Sequence, residues 1–297
     1  MEPKLLNVAQ YIETVVDRFD SAELHYGHGT ENSFDEAVYL VYGVLGIDYE
    51  TSIDVANRIL TSDEHSKLDE KVEKRISQRI PVAYLLNEAW FAGFKFFSDS
   101  RALVPRSPIA ELIQSNFQSL LLTKPNTVLD LCCGGGCIGI STAKHYESVQ
   151  VDLADFDPAA LGLALSNINL HDVGSRVKII QSDLFSAIYS NYDLILCNPP
   201  YVSAQEYKIL PDEFKQEPAI GLVCGDDGLA LPVRILREAA NYLAHEGMLI
   251  MEVGHSAKLL AQRFESVPFL WLEFNRGGSG VLALSQQQLQ QYSGEFN

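Results

Sequence analysis

No stretch of this sequence approaches the roughly 18 apolar residues that a membrane-spanning helix needs; the densest run, 37 to 47, is broken by Tyr39, Tyr42, Gly43 and Gly46. Met1-Glu2-Pro3-Lys4 leads into an amphipathic pattern with Glu13 and Asp17 rather than into the apolar core of a secretory leader, so a cytoplasmic protein is expected. Cysteines are few and odd in number: Cys132, Cys133, Cys137, Cys197 and Cys224. Four of them fall in or beside strongly apolar segments, which suits buried thiols in a reducing compartment and not a disulfide framework. Cys133 and Cys137 have no second Cys or His pair to complete a zinc set, so no metal is expected. Basic residues are scarce too. The 22 Lys and Arg against 39 Asp and Glu leave a net charge of −17. Nucleic-acid enzymes draw most of their affinity from phosphate neutralisation on a basic face, so direct nucleic-acid binding is not expected. The acidity suits a basic partner, or serves only to keep the protein soluble.

The 297 residues leave room for two domains. Leu5, Val8, Ile12, Val15, Val16 and Phe19 recur at three- and four-residue steps and draw one helical stripe. Ser33 with Glu36, and Thr61 with Glu64, have capping-box spacing, and Leu68, Val72 and Ile76 extend a helical face until Pro81. Residues 1–81 therefore read as a small helical domain with an acidic surface, suited to docking a basic substrate. Residues 82–108 read as a β-hairpin linker: Trp90, Phe91, Phe94, Phe96 and Phe97 are dense aromatics, and Ser98-Asp99-Ser100 predicts a turn before Ala102-Leu103-Val104. Residues 109–297 read as the catalytic domain. A helix is expected over 109–121, then apolar strands at 127–131, 150–155, 177–182, 192–197, 247–253, 270–274 and 280–284. Short apolar strands between helices imply an α/β, mostly parallel sheet. The last two are joined too closely for a parallel crossover and must form an antiparallel hairpin.

The first of these strands runs through Asp130 into Cys132-Cys133-Gly134-Gly135-Gly136 and then a helix. Gly134, Gly136 and Gly139 satisfy the dinucleotide spacing, with Asp155 about twenty residues on, so an NAD-linked oxidoreductase is a rival reading. Acids at three successive strand ends, Asp130, Asp155 and Asp183, argue instead for a cationic ligand with ribose and adenine but no pyrophosphate. S-adenosylmethionine is such a ligand. Asp157, which precedes Pro158, is expected to cap a helix. Past the fourth strand stands Asn198-Pro199-Pro200-Tyr201. The two prolines hold an extended, rigid turn. The Asn198 side-chain oxygen and the Pro199 carbonyl can then accept both N–H bonds of a planar amide or amino group, while Tyr201 lies against it or faces the sulfonium methyl.

These residues resemble the class I methyltransferases that carry the Asn-Pro-Pro-Tyr motif, and among them the protein-glutamine N5-methyltransferases. One branch of that family acts on release factors and the other on large-subunit ribosomal protein three. The chain resembles the ribosomal branch along nearly its whole length, through Tyr26 to Thr30, Pro81 to Leu85, Val104 to Pro108, Glu217-Pro218, Gly225 to Leu229 and Leu272 to Val281. The resemblance implies a Rossmann-like seven-stranded sheet with a terminal antiparallel hairpin, joined to an N-terminal helical domain. It also implies in-line methyl transfer from S-adenosylmethionine to a glutamine side-chain amide, without an obligatory general base. Cys132 to Gly136 would cradle the methionine part of the cofactor, Asp155 its ribose, and Asp183 and Leu184 its adenine, with Asp130 and Asn198 completing the cofactor set. Cys132 departs from the wider pattern, which has glycine there; Cys133 and Gly135 replace small hydroxyl residues. Arg106 and Glu252 are expected to serve as a salt bridge or cap. The release-factor activity, and adenine-N6 methylation of nucleic acid, are the rival substrates; oligomeric state is left open.

Overall fold

Asn7 ends an extended segment and accepts the Gln10 N–H at 2.8 Å, while the Gln10 side chain accepts the Asn7 N–H. This reciprocal cap starts helix α1 (Val8–Ser21) in the computed structural model, which describes residues 6–48, 53–118, 120, 121 and 123–296. The rest of the first compact unit is α2 (Ser33–Leu45), α3 (Ser62–Gln78) and α4 (Val82–Leu86). The unit spans 1–89 and also takes in 211–216. The stripe read from the sequence is buried: Val8, Ile12, Val15 and Phe19 pack with Leu40, Val41, Leu68 and Val72, and Val16 lies partly buried beside them. Leu5 lies outside the described residues.

Thr61 and Glu64 form the expected capping box, but Ser33 and Glu36 do not. Asn32 caps α2, because Glu36 is buried and committed to Arg75 at 2.5 Å. Arg75 also reaches Glu213 at 3.1 Å and the His25 carbonyl at 2.9 Å, so one buried guanidinium ties three segments together. Helix α3 stops at Gln78 with Arg79 left-handed at φ 59°, ahead of Pro81, which opens α4.

Strands β1 (Glu88–Phe91) and β2 (Phe94–Phe97) form the hairpin. Its turn is Ala92-Gly93, both with positive φ, the geometry that matches strand twist in two-residue hairpins. The expected turn at Ser98 to Ser100 leads into irregular chain, and Ala102 to Val104 is not a strand. Helix α5 (Ile109–Gln114) is shorter than expected: Asn116 and Phe117, at φ 55° and 51°, end it, and Phe117 turns its ring fully into the core.

The second unit then alternates β3 (Thr127–Leu131), α6 (Cys137–His145), β4 (Gln150–Asp155), α7 (Pro158–Leu170), β5 (Val177–Gln181), β6 (Tyr192–Cys197), α8 (Ala204–Ile209), α9 (Ala230–Glu238), β7 (Leu243–Glu252), α10 (Ala257–Arg263), β8 (Leu270–Trp271), β9 (Val281–Ser285) and α11 (Gln286–Gln291). The sheet order is β5-β4-β3-β6-β7-β9-β8. The first five strands are parallel, and β9 runs antiparallel to both β7 and β8. Successive residues face opposite sides. Val128, Leu194 and Leu196 enter one core cluster, and Leu129, Ile195 and Cys197 enter the other. A sheet covered on both faces needs apolar residues at every position, which is why these strands read as continuous runs. β3 lies between β4 and β6, so strand order reverses beside it, and the crevice outside these carboxyl ends is where open α/β sheets bind ligands.

Candidate active site

The chain leaves β3 through a turn made of left-handed residues: Cys132 at φ 59°, Gly134 at 54° and Gly136 at 78°. A side chain at Gly136 would put its Cβ 2.8 Å from Leu153 Cδ1, so this glycine is required by packing as well as by backbone angle. Cys132 holds an angle usually left to glycine, at a local cost of about 1–2 kcal/mol. Two carboxylates hold the turn. Asp130 is fully buried and its Oδ2 accepts the Gly139 N–H at 2.8 Å, while its Oδ1 has no partner. Burial pushes the Asp130 carboxyl up to about 7. Asp155 accepts the Gly134 N–H at 2.8 Å and the Asp157 N–H at 2.9 Å, and burial raises it as well.

The three strand-end acids therefore sit differently. Asp130 lies within the base of the turn and Asp155 at its edge, whereas Asp183 is exposed and pairs with Arg234 at 3.1 Å. Leu184 beside it is buried and left-handed at φ 48°. Asp157 caps α7, accepting the Ala159 N–H. Sequence reading missed Asn167 on α7. Its side-chain oxygen accepts the Phe97 N–H at 2.7 Å, and its Nδ2 donates to the Gly135 carbonyl at 2.9 Å, clamping the hairpin's end to the glycine turn. No spacing signal marks it, because its partners lie 70 and 32 residues away.

β6 pairs with β3 in register, Leu131 against Cys197, so Asn198 emerges beside the turn. The segment after the motif is pinned. Val202 donates its N–H to the Leu222 carbonyl at 2.9 Å and accepts the Cys224 N–H at 2.8 Å. The Ser256 hydroxyl donates to the Tyr201 carbonyl at 3.0 Å. The half-buried Asn198 amide forms no hydrogen bond with the described residues, leaving its oxygen open to a ligand. Pro199 is buried and Pro200 partly so, and Pro200 restricts the backbone of Pro199 before it to extended conformations. Arg106 makes a two-pronged ion pair with Glu217, at 2.8 and 2.6 Å, and Glu217 also accepts the Val104 N–H. Glu252 is buried and takes hydrogen bonds from Ser107 and Tyr201.

Among the described residues, no three His, Cys, Asp or Glu side chains are grouped to hold a metal. All five cysteines are free. Asp155, at the edge of the open-backboned turn, is the acid placed to meet a ligand with hydroxyls and a positive charge, and it would repel a pyrophosphate. Asp130, expected in the cofactor set, is sealed beneath the turn and shapes it from below.

A model of the methyltransferase small domain matches residues 110–217. The chain is 38% identical over 295 residues to the ribosomal protein uL3 glutamine methyltransferase of Francisella tularensis subsp. tularensis, covering 98% of this chain and 94% of that one. It is 40% identical over 291 residues to the enzyme of the same description from Xanthomonas campestris pv. campestris, covering 95% and 94%. Among solved structures it is similar to the hMettl16 catalytic domain in complex with the MAT2A 3′UTR hairpin 6. That match has a TM-score of 0.50 at 14% identity, over 80% of this chain and 86% of that one, a likeness of fold.

Proposed function

The chain belongs to the family of ribosomal protein uL3 glutamine methyltransferases, and from that premise we propose that it methylates the N5 amide nitrogen of a glutamine in ribosomal protein uL3. The enzyme is a methyltransferase that uses S-adenosyl-L-methionine. The observation carrying the substrate is that the likeness runs through both compact units and not the catalytic one alone. A resemblance confined to the sheet and the Asn-Pro-Pro-Tyr motif would suit an adenine-N6 enzyme equally, since an exocyclic amine offers the same NH₂.

In this reading Cys132, Cys133, Gly134, Gly135 and Gly136 form the backbone cradle for the cofactor, and Asp155 takes its hydroxyls. Asp130 holds the turn in shape, Leu184 packs beside the adenine, and Asp183 with Arg234 closes the rim. When bound, the cofactor supplies a methyl group on a sulfonium, open to in-line attack. Asn198 Oδ1 and the Pro199 carbonyl accept the two amide hydrogens and orient the nitrogen lone pair. Pro200 keeps both acceptors rigid, and Tyr201 closes the side of the pocket. No group is needed to remove a proton before attack. Catalysis is then mainly positioning, for which effective molarities of about 10⁵ M and above have precedent.

The basic substrate is matched by an acidic N-terminal unit, which we read as its docking surface. We place the reaction in the cytoplasm, where ribosomal proteins are made. Among the described residues no helix is long and apolar enough to cross a membrane. The test is to incubate the purified chain and radiolabelled S-adenosylmethionine with uL3, with a release factor and with adenine-containing DNA. Label on uL3 alone, located by mass spectrometry on a glutamine, is the expected result. Label on the release factor or the DNA in its place would overturn the substrate.

A further inference from the structure

Tyr201 is held more tightly than a pocket-lining ring requires. Its carbonyl accepts the Ser256 hydroxyl at 3.0 Å, and its hydroxyl donates to Glu252 Oε1 at 3.2 Å. Gly254, left-handed at φ 48°, lies under the ring, where an added Cβ would stand 2.6 Å from Tyr201 Cε2. His255 meets the ring edge-on at 5.6 Å between centroids.

The anchor of this arrangement is Glu252, the last residue of β7, only 6% exposed. Its second oxygen accepts the Ser107 hydroxyl at 2.6 Å. Ser107 Oγ in turn accepts the Ile109 N–H at 3.2 Å, so its own hydrogen is directed to Glu252. Both carboxylate oxygens thus receive a hydroxyl hydrogen, and the phenol hydrogen of Tyr201 is committed away from the substrate. What the ring can offer an incoming amide is its apolar surface and an oxygen lone pair, beside two acceptors at Asn198 and Pro199.

Resting on the reading that a glutamine amide enters this pocket, we propose that Glu252, steadied by Ser107, is a positioning residue: it fixes the ring of Tyr201 and keeps its hydroxyl from donating to the substrate. Its contribution is to the geometry of transfer and not to docking, which in this reading falls to the acidic N-terminal unit. Glu252→Ala removes the acceptor that fixes the phenol of Tyr201, whereas Glu252→Gln keeps a side-chain oxygen that can accept the phenol hydrogen.

The experiment measures kcat and KM for uL3, together with S-adenosylmethionine affinity, for the parent, Glu252→Ala, Glu252→Gln and Ser107→Ala. Glu252→Ala is expected to lower kcat at least tenfold with KM and cofactor affinity within threefold. Glu252→Gln should recover kcat to within threefold of the parent, and Ser107→Ala should fall between them. A parent-like kcat in Glu252→Ala overturns the proposal. So does an equal loss in Glu252→Gln, the mark of a merely structural carboxylate. If the parent labels a release factor and not uL3, the substrate reading fails, and the same ratios are read on the release factor. A crystal structure of Glu252→Ala decides independently of any substrate or of partial misfolding in solution. A displaced or doubly placed Tyr201 ring supports the role, and an unmoved ring removes it.

Discussion

Asn198 separates chemistry from binding at a single side chain. Its oxygen is open to a ligand and its neighbours fix the turn, so Asn198→Ala removes one acceptor and little else. Turnover should fall by about 10²–10³, comparable with deleting one preorganised hydrogen-bonding group elsewhere. Cofactor affinity should change much less. Single-turnover methylation and cofactor titration on the same variant decide it, and a rate within a few-fold of the parent would reduce Asn198 to a turn residue. Asp130 makes a different prediction. Its carboxyl titrates near 7 in the fold, against 3.8 for an unperturbed aspartate. The folded state therefore binds this proton more tightly than the unfolded chain, and stability declines as pH rises from about 4 to about 7. Asp130→Asn has no such proton to lose. Its urea midpoint should vary less than the parent's between pH 5 and pH 8, and parallel curves for the two proteins would show that Asp130 is not the cause. The role of Asp130 was only half legible in the sequence. Its place at a strand end was plain, but that it faces inward to the Gly139 N–H depends on a helix start nine residues later.

At the scale of elements, the central sheet was readable because burial on both faces demands unbroken apolar runs. Strands β3, β4 and β6 begin and end where those runs do. The terminal antiparallel pair followed from a linker too short for a crossover. What escaped the sequence were places where backbone angles override composition. Asn116 and Phe117 end α5 early although Leu120 and Leu121 continue its apolar pattern. Ser98 to Val104 look like a turn and strand, yet Glu217, more than a hundred residues on, takes the Val104 N–H that a partner strand would have taken. The glycine turn is the element where sequence and conformation disagree most openly, since Cys132 is left-handed. Cys132→Gly should be at least as stable as the parent. Cys132→Val, β-branched at the same angle, should be less stable than the parent. Chemical denaturation measures both, and equal midpoints for the two variants would mean that the turn relaxes to another conformation.

Across the whole molecule, the net charge of −17 is the broadest feature, and residues 1–80 carry 16 acidic against 8 basic side chains. Not all of these acids face a partner. Glu36 is buried with Arg75, Asp69 and Glu73 are shared with Arg18, and Asp63, Glu64 and Glu70 pair with Lys67, Arg58 and Lys74. The remainder should steer a basic protein, an effect screened beyond roughly 8–10 Å at physiological salt. Association with uL3, followed by stopped flow, should slow markedly between low and physiological ionic strength. A rate indifferent to salt would leave the acids a role in solubility alone.

Arg75 waits for Glu213, a partner 138 residues further along the chain. On a ribosome adding about 5–20 residues per second, that gap lasts roughly 7–30 s. During it the N-terminal helices can gather around the Arg75–Glu36 pair, but the last buried carboxylate has not been synthesised. A nascent chain stalled before residue 211 should thus show a looser N-terminal unit than one stalled well past 216. The order in which this protein is made becomes part of how its first domain is completed: the segment that follows the Asn-Pro-Pro-Tyr motif is also the one that closes the helical core.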